Sequence, residues 1–256
     1  MPRLATMNSG SASMVECFSS IQGEGVLVGL RQAFLRFSGC NLSCSFCDTP
    51  GMTRVPDECL FELTPGRRDF FGVPNPVACD RLFSLIQSWT VGWPGIHHSI
   101  SVTGGEPLLY AAQLLEWLPR LRELLPIYLE TNGTLSDALS PLIPHLDYIG
   151  MDIKLPSASG CPDLWQEHRA FLKVASQRSV FVKVVIDQST EEWEIERSCA
   201  LIAEVDRAIP LILQPMTLPD GSIAISPLRT LQFQELASGL NEVRVIPQTH
   251  KFMGQL

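Results

Sequence analysis

The strongest constraint on the fold of this 256-residue chain is an alternation. Short apolar runs rich in β-branched residues are separated, again and again, by longer segments whose apolar residues recur every three to four positions. The first pattern is that of strands, the second that of amphipathic helices. Strands are expected over 33–37, 99–103, 127–130, 148–153, 180–186, 211–214 and 243–246. Helices are expected over 78–88, 108–125, 163–177, 191–205 and 228–238, with a short one over 135–142. Pro119 should kink or shorten the second, because an interior proline loses a backbone donor and crowds the preceding turn. Strands alternating with helices join as βα units around a mostly parallel sheet. A run such as FVKVVI, apolar nearly throughout, suits a strand buried on both faces. About six units predict an α/β fold: an open, incomplete barrel, smaller than the eight-unit closed form.

Two segments break the rhythm. Residues 1–13 are small and polar and are expected to form a loose tail ahead of a single domain over 14–256. Residues 49–76 are rich in proline, glycine and charge without a period, and are expected to be an irregular insertion. A long loop in a compact domain commonly serves function, and this one follows a cysteine cluster. Hydrophobic residues make up 45% of the chain and charged residues 18%, enough for a sizeable core. The net charge of −8 argues against broad contact with phosphate backbones, so nucleic acid is not the expected partner. A small anionic substrate needs only a few local cations and stays compatible. No apolar run reaches the roughly 18 residues of a membrane span. The N-terminus lacks the apolar core of a secretion signal, so a cytoplasmic location is expected.

Eight cysteines are present, and three fall within eight residues. They occur in Ser38-Gly39-Cys40-Asn41-Leu42-Ser43-Cys44-Ser45-Phe46-Cys47-Asp48-Thr49, just beyond the first expected strand. Three thiolates on one short loop can converge on a single metal centre. An iron–sulfur cluster ordinarily takes four such ligands, so three would leave one iron open to a small molecule. A structural zinc site would want four ligands, with Cys59 or a histidine completing it. Plain loop cysteines are the third reading, and buried free thiols suit the scattered Cys17, Cys59, Cys79, Cys161 and Cys199. Adjacent His97 and His98 would point to opposite faces of a strand and receive no ligand role, nor do His145 and His168.

The triplet resembles the signature of radical S-adenosylmethionine (SAM) enzymes. Thr103-Gly104-Gly105-Glu106-Pro107, ending the next expected strand, resembles their SAM-binding motif. The resemblance narrows to the 7-carboxy-7-deazaguanine synthase family over residue 16 to the C-terminus. It rests on Phe18-Ser19-Ser20-Ile21-Gln22-Gly23-Glu24-Gly25, Arg36, Cys47-Asp48-Thr49, Glu130-Thr131-Asn132-Gly133-Thr134, Asp152-Ile153-Lys154, Gln214-Pro215-Met216 and Gln248-Thr249-His250-Lys251, in that order. The family contracts the ring of 6-carboxy-5,6,7,8-tetrahydropterin to 7-carboxy-7-deazaguanine, with loss of ammonia, on the route to deazapurine nucleosides such as queuosine.

The resemblance implies a partial TIM-like barrel, a [4Fe–4S] cluster on Cys40, Cys44 and Cys47, SAM and Mg²⁺. SAM contacts are implied at Gly105, Glu106, Asp152, Lys154 and Gln214, with Glu106 accepting from the SAM amino group. Substrate contacts are implied at Ile21, Gln22, Gly23, Glu24, Arg36, Thr103 and His250, with Arg36 on the carboxylate, and an Mg²⁺ contact at Thr49. Some relatives carry Ser-Pro-Lys where this chain has Asp152-Ile153-Lys154, which leaves the role of Asp152 open. The implied partners are the small pterin, an electron donor such as flavodoxin or ferredoxin, and a second copy in a homodimer. Two other readings stand beside this one: a radical SAM activase that places a glycyl radical on a partner protein, and a non-catalytic iron–sulfur or zinc protein.

Overall fold

The computed structural model describes residues 10–47 and 55–255. In chain order the strands are β1 (Ser11–Ala12), β2 (Met14–Ile21), β3 (Arg31–Phe37), β4 (Glu58–Glu62), β5 (Phe70–Pro74), β6 (Val77–Ala78), β7 (Ser99–Gly104), β8 (Ile127–Thr131), β9 (Tyr148–Ile153), β10 (Ser179–Ile186), β11 (Leu211–Pro215) and β12 (Val243–Val245). The helices are α1 (Cys79–Gly92), α2 (Ala111–Arg122), α3 (Ser136–Leu139), α4 (Pro156–Ser159), α5 (Trp165–Ala175), α6 (Glu192–Val205), α7 (Pro227–Leu236) and α8 (Thr249–Phe252).

Ten strands form one sheet in the order β12-β11-β10-β9-β8-β7-β3-β2-β4-β5. From β3 to β12 every neighbouring pair is parallel, and chain order equals spatial order. Six crossovers therefore carry the chain across the sheet. The edges remain apart, so this is the open α/β barrel expected from the alternation.

Period-two alternation divides the two faces of the sheet. Ala33, Leu35, Phe37, Ile100, Val102, Ile127, Leu129, Ile149, Met151, Val182 and Val184 join the main core under the helices. Each of these side chains larger than alanine contributes about 1.5–3 kcal/mol by leaving water. The intervening residues turn to the other face. There Leu27, Tyr128, Phe181 and Ile212 form a small apolar cluster, and polar residues lie nearer the strands' C-terminal ends. In α2, Pro119 is carried inside the helix without ending it, and the helix stops at Arg122 instead of reaching 125, ahead of Pro126, which disfavours helical backbone at the residue before it.

Two expectations are corrected. The insertion expected at 49–76 contains the antiparallel hairpin β4–β5, and β4 pairs in parallel with β2. Its strands are only five residues each, too short for a readable period, and pairing with β2 together with burial of Cys59, Phe61 and Val73 supplies the order. Of the tail expected over 1–13, residues 1–9 lie outside the described residues. Beyond them, Ser11–Ala12 pairs antiparallel with Val77–Ala78.

Candidate active site

Parallel strands bring all their C-terminal ends to one side, and the loops that follow them are the natural place for a site. Here they surround a cleft of about 810 Å³. Ile21, Gln22, Gly23, Glu24, Arg36, Cys40, Cys44, Cys47, Thr103, Gly105, Asp152, Lys154, Gln214 and His250 all line it. Thr49 lies outside the described residues.

The cysteine loop leaves β3 and is fastened to the loop after β7. Gly105 N donates to Phe37 O at 3.1 Å and Glu106 N to Gly39 O at 2.8 Å. That approach requires a missing side chain, because a Cβ on Gly105 would lie 2.0 Å from Gly39 O. Cys40 Sγ accepts from Leu42 N at 3.4 Å, and Cys44 Sγ lies 3.6 Å from Cys161 Sγ. Burial raises both the Cys40 and Cys44 thiols above the ordinary cysteine range. A bound cation is what would favour their thiolates. Among the described residues, no three histidine, cysteine or acidic side chains stand close enough together to hold a metal ion as they are.

Glu106 departs from its expected role. Its side chain is fully buried and does not line the cleft. One carboxylate oxygen accepts from Leu108 N at 3.0 Å, capping the short 3₁₀ turn Pro107–Tyr110. The other accepts from Asn132 N at 2.8 Å, and Thr131 Oγ1 donates to both. Burial pushes its pKa up to about 7 against the pull of those donors. Its donors draw the carboxylate inward, so Glu106 braces the loops after β7 and β8 instead of facing a ligand.

A chain of charge crosses the cleft. Lys154 Nζ donates to Asp152 Oδ2 at 2.6 Å and sits over the Phe46 ring at 5.2 Å. Lys183 Nζ is 3.3 Å from the same Asp152 oxygen and also pairs with Glu24 Oε2. The other Glu24 oxygen accepts from Gln248 Nε2 at 2.7 Å. Burial alone would raise the Glu24 pKa, but Lys183 and Gln248 overcome it and hold the group down at about 2. Gln22 is buried beneath, donating to Glu130 at 2.6 Å and to Gln32 at 3.0 Å, and accepting from Glu24 N at 2.9 Å. Thr103 Oγ1 donates to the second Glu130 oxygen at 2.7 Å. Lys183 and Glu130 carry no expected role. For Lys183 the available signal was a single charge inside an otherwise apolar strand.

Arg36 projects from β3 with Nε bound to Glu16 on β2 at 2.7 Å. Among the described residues its two terminal nitrogens make no hydrogen bond, so the fork keeps an open edge. The C-terminal segment closes over the other side. Thr249 N donates to Gly23 O at 2.9 Å, and a Cβ on Gly23 would lie 2.1 Å from His250 Nδ1.

The cleft wall suits a polar ligand and a thiolate-bound cluster. Asp152 Oδ1, Gln214 Oε1 and Thr217 Oγ1 are buried without a hydrogen-bond partner. Each costs about 1–3 kcal/mol unless a ligand bonds to it, and all three residues line the cleft. Three thiols of one loop face the same space.

Residues 35–175 match the sequence profile of the Radical SAM superfamily. A 7-carboxy-7-deazaguanine synthase of Geobacter sulfurreducens is 56% identical over 251 residues, covering 98% of this chain and 100% of that protein. One of Methanothermobacter thermautotrophicus is 36% identical over 266 residues, covering 95% and 97%. Among solved structures, QueE from Escherichia coli superimposes with a TM-score of 0.56 at 17% identity, covering 92% of this chain and 93% of that one. That last likeness concerns the fold alone.

Proposed function

The chain belongs to the radical SAM superfamily and, within it, to the 7-carboxy-7-deazaguanine synthases, and on that premise we propose that its cleft converts 6-carboxy-5,6,7,8-tetrahydropterin to 7-carboxy-7-deazaguanine with release of ammonia. One observation carries the reading: the cysteine loop, the Gly104-Gly105 turn, the 21–24 segment and Arg36 share a single cleft with buried, unpartnered oxygens.

Cys40, Cys44 and Cys47 would hold the [4Fe–4S] cluster. The backbone at Gly105, with Lys154, Asp152 and Gln214, would hold SAM. The bound cluster and SAM together supply the hydrogen-atom abstraction that opens the ring contraction. The open edge of the Arg36 guanidinium offers two parallel donors to the substrate carboxylate. Glu24, kept ionised, accepts from the N–H groups on the heterocycle's amidine edge, beside the backbone of Ile21–Gly23. Thr103, anchored on Glu130, and His250, seated on Gly23, bound the substrate side. Thr49 would contribute a hydroxyl to Mg²⁺, a cation that takes hard oxygen ligands and few from protein. The enclosing loops keep water from the reacting carbons.

The substrate is a small molecule and the reaction draws on a reductant. Flavodoxin or ferredoxin as electron donor, a homodimer and a cytoplasmic site of action complete the proposal. In its support, no helix among the described residues is long and apolar enough to cross a membrane. The test is anaerobic reconstitution with iron and sulfide, then SAM, Mg²⁺, a strong reductant and the pterin, followed by mass spectrometry. 7-Carboxy-7-deazaguanine that requires SAM and all three cysteines supports the reading. 5′-Deoxyadenosine without deazaguanine would remove the substrate assignment.

A further inference from the structure

We propose that Lys183 is a positioning residue that fixes Glu24 as an ionised acceptor on the substrate side of the cleft. This inference rests on the functional reading above and deepens it.

The geometry is specific. Lys183 lies in the middle of β10, directly opposite Asp152 in the β9–β10 register. Its neighbours on the outer face, Val182 and Val184, are fully buried in the main core, so alternation fixes Lys183 toward the cleft. Its ammonium touches two carboxylates that belong to different functions. One is Glu24, on the segment expected to meet the heterocycle. The other is Asp152, which also receives Lys154. The Lys183 and Glu24 side chains each keep only 17% of their surface exposed.

Burying a carboxylate without a partner favours its neutral form. A neutral Glu24 would present an O–H where the substrate needs an acceptor. Among the described residues, Lys183 is the one cation bonded directly to Glu24. Gln248 supplies a neutral donor, His250 adds the smallest of the effects that favour the ionised form, and Lys251 reaches Glu24 only through Gln248, bonding its Oε1 at 2.7 Å. Glu130 and Asp152 add negative charge from β8 and β9, and Lys154 is already committed to Asp152. Tyr128 stands below with its hydroxyl toward Glu130. Take away the Lys183 ammonium and burial, together with those two acids, drives Glu24 toward protonation.

The expected signature is a pH dependence that appears on substitution. In the wild type Glu24 stays ionised across the neutral range, so it adds no pH dependence to substrate affinity. In Lys183→Met, pterin affinity should fall by about tenfold or more near neutrality. It should recover by about tenfold per pH unit as pH rises, because the proton on Glu24 must leave before the substrate binds. SAM affinity should change much less. Lys183→Arg keeps the charge and should restore a flat profile.

The experiment is anaerobic equilibrium binding of 6-carboxytetrahydropterin and of SAM to the reconstituted wild type, Lys183→Met and Lys183→Arg across the neutral range. It is paired with infrared difference spectra of the carboxyl stretch. Lys183→Met should show a protonated-carboxyl band that Lys183→Met/Glu24→Gln lacks. The double variant removes both charges and guards against loss of folding in the single one. A pH-independent loss of pterin affinity, equal losses for pterin and SAM, or no protonated-carboxyl band would overturn the proposal. If the wild type binds SAM but ignores the pterin, the functional reading fails, and the infrared band still decides the role of Lys183.

Discussion

Arg36 and Lys183 divide the positive charge of the cleft between an open and a closed use. Lys183 is enclosed by two carboxylates, whereas the Arg36 fork spends only Nε on Glu16. An open bidentate edge is what a substrate carboxylate needs. Arg36→Ala is therefore expected to weaken pterin binding by roughly 1.5–3 kcal/mol, the scale of a charge-assisted hydrogen bond. SAM binding should change little, because the proposed SAM contacts stand elsewhere, Asp152 on β9, Lys154 just beyond it and Gln214 on β11. Titrations of both ligands check this, and equal losses would contradict it. Glu106 shows the reverse case, a buried charge used up by donors of its own chain. Its carboxylate is consumed by Leu108, Thr131 and Asn132.

The elements that matter most are the loops at the C-terminal ends of β3, β7, β8 and β9. They are held to one another by short-range contacts rather than by the sheet. Gly105 lets the loop after β7 lie against Gly39. Gly105→Ala would place a Cβ 2.0 Å from the Gly39 oxygen and 3.1 Å from Cys40 Cβ, so the two loops must separate. The expected outcome is a folded protein that retains less iron after reconstitution and binds SAM weakly. Iron per chain and circular dichroism together test it, and full iron loading would refute it. His168 makes a similar brace one loop further on. Nδ1 lies 3.0 Å from Gly133 O and Nε2 accepts from Lys154 N at 3.2 Å. That arrangement assigns the proton to Nδ1 and links the loops after β8 and β9.

At the scale of the whole molecule, two buried neutral histidines make the fold sensitive to acid. Burial lowers the pKa of His97 to about 4, helped by the nearby Arg31. Burial also lowers His168 to about 4, against the pull of the Gly133 carbonyl. The unfolded chain titrates both near pH 6.5. Between those values the unfolded state takes up protons that the folded state refuses, so stability is full above the unfolded pKa and falls as pH falls toward 4. Each histidine contributes on the order of 3 kcal/mol to that loss. Urea midpoints of the apo-protein should drop between about pH 7 and 5, less so in His97→Gln. A midpoint that stays level over that range would rule the mechanism out.

The sequence by itself determined the parallel part of the sheet. The apolar runs at 148–153 and 180–186 and the helical periods between them are local patterns, and local patterns survive without knowledge of partners. The cysteine loop and the Gly104-Gly105 turn were legible for the same reason, since each is a short contiguous motif. Tertiary structure decided the rest. The β4–β5 hairpin is fixed by pairing with β2, which lies some forty residues earlier in the chain, and by burying Cys59, Phe61 and Val73 in the main core. Glu106 turns inward because its donors come from Thr131 and Asn132 on another loop. Lys183 looked like an interruption of a buried strand until Asp152 and Glu24 appeared beside it. Spacing along the chain sets which face a side chain takes. Which charges meet on that face depends on strands far apart in sequence, and no local pattern records them.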